Sequence, residues 1–156
     1  MTVENTVKKS ENVLNQLADE KKRKTSDFNK NQRTVKFYKI KKEAVVPKRH
    51  TEGAAGYDLC SQQNVAIHPS ECVTIKTGLF IDLEKDLFGM IVARSGLSFK
   101  HGIEIKNSYV KDREEICIHL QNNGTEPFQV EKFMRVAQLV FIKKEERRYS
   151  NEINYL

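Results

Sequence analysis

From Val35 onward the chain is a series of short apolar runs cut by turn residues. VKFYKI (35–40) alternates apolar with polar or basic positions. GYDLC (56–60), NVAIH (64–68), CVTIK (72–76), GLFIDL (78–83), FGMIVA (88–93), EICIHL (115–120) and RVAQLVFI (135–142) follow. These runs are rich in Val, Ile and Phe, residues that pack well on a pleated surface. His68-Pro69-Ser70 and Asn122-Asn123-Gly124 punctuate them with turn chemistry. No sustained helical periodicity follows residue 34, and no internal repeat is visible. About ten short strands at such spacing predict an all-β jelly roll or β-barrel.

Before Val35 the chain is polar and lysine-rich, and Phe28 is its only aromatic residue. Val3, Val7, Leu14 and Leu17, with Ser10 between them, keep a four-three spacing that aligns on one helix face. A short amphipathic helix over 3–20 and a disordered tail are both compatible with this segment. The basic cluster Lys21 to Lys24 suits a helix C-terminus, a nuclear import signal, or a contact with phosphate or nucleic acid. The expected division is a basic extension over 1–34, a β domain over 35–143 and a short tail over 144–156.

The 156 residues are enough for one domain with a real core. Hydrophobic residues make up 38% and charged residues 31%, a balance typical of soluble proteins. No apolar run approaches the roughly 20 residues that cross a bilayer, and the N-terminus has no apolar signal-like core. No membrane partner is expected. The net charge of +6 fits weak attraction to anions and equally a solvated basic surface. Cys60, Cys72 and Cys117 form no CxxC pair, which points to a reduced, intracellular setting, cytoplasmic or nuclear. All three lie in apolar runs, where a free thiol packs as a small hydrophobe. His50, His68, His101 and His119 show no ligand spacing for zinc or iron.

Three segments carry a further signal. GAAGYDL (53–59), ARSGLSFKHGIEI (93–105) and RVAQLVF (135–141) resemble, in order and spacing, the first, second and fourth motifs of the trimeric dUTPases. That family hydrolyses dUTP to dUMP and pyrophosphate. The similarity covers about residues 35–142. It implies a jelly-roll subunit, a homotrimer with active sites between subunits, dUTP or dUMP as ligand, and Mg2+ on the phosphate chain.

By that resemblance, Ser95 and Gly96 bind phosphate, with Arg94 contacting phosphate or bracing the turn. A glycine lets backbone approach an anion closely. Ala93 stands where the family usually has proline. Asp58 is implied near the magnesium through water, with an ion pair to Arg94 as the structural alternative. Gln138 is implied at the substrate and Arg135 as a strand-end support. Val136, Leu139 and Val140 are expected in the core.

Two motifs depart from the family. The third resembles G-V-I-D-x-D-Y-R-G-E in active members, where an Asp orients water, a Tyr stacks on deoxyribose and the backbone reads uracil. Here it reads Lys106-Asn107-Ser108-Tyr109-Val110-Lys111-Asp112-Arg113-Glu114-Glu115, two residues shorter and without glycine. Aligning on Arg113 and Glu115 puts Asp112 at the Tyr position and Tyr109 near the catalytic Asp. Asp112 is the candidate catalytic carboxylate and Tyr109 a candidate nucleotide contact. A three-residue shift along a strand moves a side chain about 10 Å and reverses its face. The fifth motif, a glycine-rich arm, has no counterpart, since no glycine follows Gly124. A catalytically impaired protein acting through nucleotide or protein binding is therefore expected, with an active, divergent dUTP diphosphatase as the alternative. The related dCTP deaminase activity needs a glutamate in a strand that here reads ICIHLQ (116–121), which has no carboxylate.

Overall fold

The structure, a computed structural model, describes residues 35–145. The expected 3–20 helix, the Lys21–Lys24 cluster and nearly all of the tail lie outside them.

Ten strands and one short helix form the described part. The strands are β1 (Lys36–Lys39), β2 (Tyr57–Cys60), β3 (Val65–Ile67), β4 (Cys72–Asp82) and β5 (Leu87–Ala93). They continue with β6 (Ile103–Ile105), β7 (Tyr109–Val110), β8 (Glu115–Asn122), β9 (Phe128–Val130) and β10 (Arg135–Lys143). Helix α1 (Ser95–His101) joins β5 to β6. One sheet has the order β1-β4-β8-β6, a second β2-β10-β5-β7, and β3 pairs with β9. Every pairing is antiparallel. This is the jelly-roll arrangement of an all-β domain.

Period-two patterning builds the core. Along β8, Ile116, Ile118 and Leu120 are fully buried while His119 is exposed. They meet Leu59, Ile75, Ile81, Ile91, Val136 and Leu139. Each such side chain contributes about 1.5–3 kcal/mol by leaving water. Val140, expected in the core, is only half-buried, because its side chain alternates away from Leu139. Cys72 is likewise exposed, at the first residue of β4, whereas Cys60 is buried.

The runs 72–76 and 78–83 form one strand rather than two. Their register slips between Lys76 and Phe80, where Gly78 takes φ 67°. Neighbouring groups fill the gap in the ladder. Gly78 N–H donates to Glu115 Oε1 at 3.0 Å, and Thr77 Oγ1 donates to the Ile116 carbonyl at 2.7 Å. A bulge thus bends β4 where the sequence reads as a turn.

The chain changes sheets between β6 and β7. Ile105 pairs with Leu120 in the first sheet, whereas Tyr109 pairs with Met90 in the second. Asn107 stands at the crossing. Its Nδ2 donates to the Cys117 carbonyl at 2.8 Å, and its Oδ1 accepts from His119 N–H at 2.6 Å. The side-chain amide continues the ladder that the backbone is leaving.

Candidate functional site

Strand register sets the first cluster. Gln138 on β10 lies opposite Asp58 on β2 and Val92 on β5. Opposed residues of an antiparallel pair share a face, so Asp58 and Gln138 are neighbours. β5 ends at Ala93, and Arg94 turns the chain into α1 with extended backbone at φ −82° and ψ 124°. The Arg94 carbonyl accepts from Leu97 and Ser98 N–H at 3.0 and 3.1 Å, which starts the helix.

Asp58 is buried between two guanidiniums. Arg135 Nη1 donates to Asp58 Oδ2 at 3.2 Å, and Arg94 Nε lies 3.8 Å from Oδ1. Arg94 Nη1 also donates to the Arg135 carbonyl at 3.0 Å. Arg94 therefore braces the turn, and Arg135 ties β10 to β2.

A cleft of about 360 Å3 opens above this brace. Arg94, Ser95, Gly96 and Gln138 line it, joined by Leu97, Lys100 and His101. Nothing lies within 4 Å of a Cβ placed on Gly96, so a ligand has open access to that backbone. No carboxylate lines the cleft, and three of its side chains are basic. Such a field and hydroxyl–amide lining suit a polyanion. Lys100 and His101 are absent from the sequence-based expectation. The available signal was Gly96 to Lys100 at i,i+4, which puts both on one helix face.

The other two candidates lie elsewhere on the chain. Tyr109 is 64% exposed, with its ring 5.8 Å from that of Phe88. It borders a cleft of about 210 Å3 together with Asn107, Lys111, Glu114, Cys117 and His119. Asp112 faces a third cleft, with Lys36, Asp82 and Lys85. Its Oδ1 accepts from Leu83 N–H at 2.8 Å, and Arg113 Nε lies 3.7 Å from Asp82 Oδ1. The turn 111–114 is thereby docked on the end of β4. Within one chain, Asp112 and Tyr109 do not reach the cleft of Ser95 and Gln138.

Burial pushes the Cys117 thiol up, helped by the Glu115 carboxylate, and burial does the same for Cys60. Both are poor nucleophiles at neutral pH. Among the described residues, no three His, Cys, Asp or Glu side chains lie together where they would hold a metal ion. Asp58 Oδ1 is buried without a hydrogen-bond partner, yet two arginines flank this carboxylate. The donor set suits a magnesium carried by substrate phosphates and water. It does not suit a protein cage.

Fold and cleft together define an antiparallel jelly roll with a basic cleft that no carboxylate lines. A family model described as dUTPase matches residues 42–154. The chain belongs to the dUTPase family. It is 40% identical over 110 residues to the deoxyuridine 5′-triphosphate nucleotidohydrolase of Encephalitozoon cuniculi, covering 69% of this chain and 76% of that protein. The enzyme of the same name from Clostridium novyi is 42% identical over 106 residues, covering 65% and 75%. Among solved structures, the dUTPase of Staphylococcus bacteriophage 80alpha matches with a TM-score of 0.70 at 22% identity, covering 78% of this chain and 99% of that one. A mutant dUTPase from phage phi11 of S. aureus, described with a structural Mg(II) ion, also matches with a TM-score of 0.70 at 21% identity, covering 78% and 99%.

Proposed function

We propose that this protein is a dUTP diphosphatase, hydrolysing dUTP to dUMP and pyrophosphate with Mg2+. The observation that carries this reading is the convergence of Ser95, Gly96 and Gln138 on one acid-free cleft, braced from behind by Asp58. The curated relatives are named as dUTP nucleotidohydrolases, which favours activity over the impaired protein expected from the third motif. Ser95 and the basic side chains bind the phosphates. Magnesium, carried by the nucleotide, would neutralise phosphate charge, and Asp58, held behind the cleft by Arg94 and Arg135, would be the carboxylate to face it through water. The nucleoside lies against Tyr109. The clefts of Ser95 and Tyr109 are separate within one chain, so the complete site forms between subunits of a homotrimer. The attacking water is activated by a carboxylate of the 106–115 segment, where Asp112 and Glu114 are the exposed acids.

Pyrophosphate release from dUTP with magnesium, compared with dTTP and dCTP, tests this directly. Turnover selective for dUTP is expected. A second reading, a binding protein without turnover, is favoured by the engagement of Asp112 with Leu83 N–H. Tight dUTP binding with no pyrophosphate release would establish it.

A further inference from the structure

Lys100 and His101 stand in the same cleft as Ser95, Gly96 and Gln138. Their placement is enforced from behind. Gly102, which ends α1, adopts φ 65° and packs so closely that a Cβ there would sit 2.7 Å from Gly124 N. A Cβ on Gly124 would in turn meet the His101 carbonyl at 2.6 Å. The turn at Gly124 is held by the buried Asn122. Its Oδ1 accepts from Gly124 N–H at 2.8 Å, and its Nδ2 donates to the carbonyls of Ile67 at 2.8 Å and Glu126 at 2.7 Å. The His101 ring also rests against Phe128, with centroids 5.0 Å apart. The C-terminal end of α1 is therefore clamped to the body of the domain, and its two basic side chains start from a fixed base.

No Phe, Tyr or Trp lines the cleft, and Leu97 is its only large apolar residue. It suits phosphates and not a base. Gly96 and Lys100 lie one helical turn apart on the same face, about 6 Å along the axis. That exceeds the length of a single phosphate group. A monophosphate seated at Ser95 and Gly96 meets at most the side-chain tips that lean back over the first turn, whereas a longer chain runs alongside Lys100 and His101. The Lys100 ammonium, in a cleft without carboxylates, offsets the charge that such a chain adds, and the His101 ring offers a nitrogen donor beside it.

We propose that Lys100 and His101 bind the end of the polyphosphate chain remote from the phosphate held by Ser95 and Gly96, and so set the preference for nucleoside triphosphate over monophosphate. This assignment rests on the nucleotide-binding reading above and deepens it. Both residues act by direct contact with substrate phosphate, and neither takes part in proton transfer.

The test measures affinity for a non-hydrolysable α,β-imido analogue of dUTP and for dUMP, by calorimetry with magnesium, on wild-type protein and on Lys100→Met, His101→Asn and Lys100→Arg. Each neutral variant is expected to lose roughly tenfold in affinity for the analogue, the worth of one hydrogen bond to a charged group. Affinity for dUMP should stay within twofold, and Lys100→Arg should retain most analogue binding. Unchanged analogue affinity in both neutral variants overturns the assignment. An equal loss for analogue and dUMP overturns it too, because it shows a general field or a disturbed fold. Wild-type protein that binds neither compound overturns the nucleotide reading itself, and this assignment with it.

Discussion

Arg135 reaches from β10 to Asp58 on β2, with Nη1 3.2 Å from Oδ2, while Arg94 Nε approaches the other oxygen at 3.8 Å. One buried carboxylate thus ties the floor of the Ser95 cleft to the turn that forms its rim. Asp58→Asn keeps the shape and removes the charge. We expect a loss of about 1–3 kcal/mol in stability, the usual cost of breaking a buried charged hydrogen bond. Thermal unfolding followed by circular dichroism measures it. An unchanged midpoint would show that the two arginines find water as good a partner.

Much of this architecture was readable in the sequence because burial imposes a period. β8 alternates strictly, so its inward residues stood out, whereas β10 buries Val136 and Ala137 in succession beside a register shift. Helix α1 was not readable. It has seven residues and buries none of them, so it carries no apolar stripe. Gly102 after Lys100 and His101 was the only helix-end signal present. β7, with two residues, is too short to show a period. Ser95, Gly96 and Gln138 came from the resemblance of their segments to dUTPase motifs, not from polarity alone, and the structure brings the three to one cleft. Lys100 and His101, which line the same cleft, did not stand out because basic residues near a helix end look like ordinary solvated surface.

Asn107 spans the switch between sheets with its side chain alone, through Cys117 and His119. Asn107→Ala leaves the His119 N–H and the Cys117 carbonyl without that partner. Water restores part of the loss at exposed His119, so a cost of about 1–2 kcal/mol is expected. Deuterium exchange is the specific readout. The His119 amide should exchange faster in the variant, while Ile116 and Ile118 at the centre of β8 keep their protection.

The three thiols should separate by reactivity. Cys72 is exposed, whereas burial raises the pKa of Cys60 and Cys117. Alkylation near neutral pH, mapped by mass spectrometry, should label Cys72 first. The raised values also set a sign for stability. Both thiols stay protonated in the folded state after they ionise in the unfolded chain. Their contribution is whole below the unfolded pKa of about 8.5. It is lost as pH rises from there through the folded values. Unfolding midpoints should therefore fall above about pH 8.5, and replacing Cys60 and Cys117 by Ala should flatten that fall.

Asp112 and Glu114 compete for the role of water-activating carboxylate, and their surroundings differ. Asp112 holds Leu83 N–H at 2.8 Å and faces the cleft of Asp82 and Lys36. Glu114 borders the cleft of Tyr109, where its Oε2 lies 3.7 Å from Lys111 Nζ. If the nucleoside rests on Tyr109, Glu114 is the acid that shares its cleft, whereas Asp112 lines a different one. Glu114→Gln is then expected to lower kcat by about 10²–10⁴-fold, the usual scale for a general base, with KM little changed. Asp112→Asn is expected to lower thermal stability slightly and to leave kcat within about threefold, well under that general-base scale. Steady-state kinetics on the two variants separate the assignments. A large kcat loss in Asp112→Asn with full activity in Glu114→Gln would place the base at Asp112 and require the 111–114 turn to rearrange when the nucleotide binds.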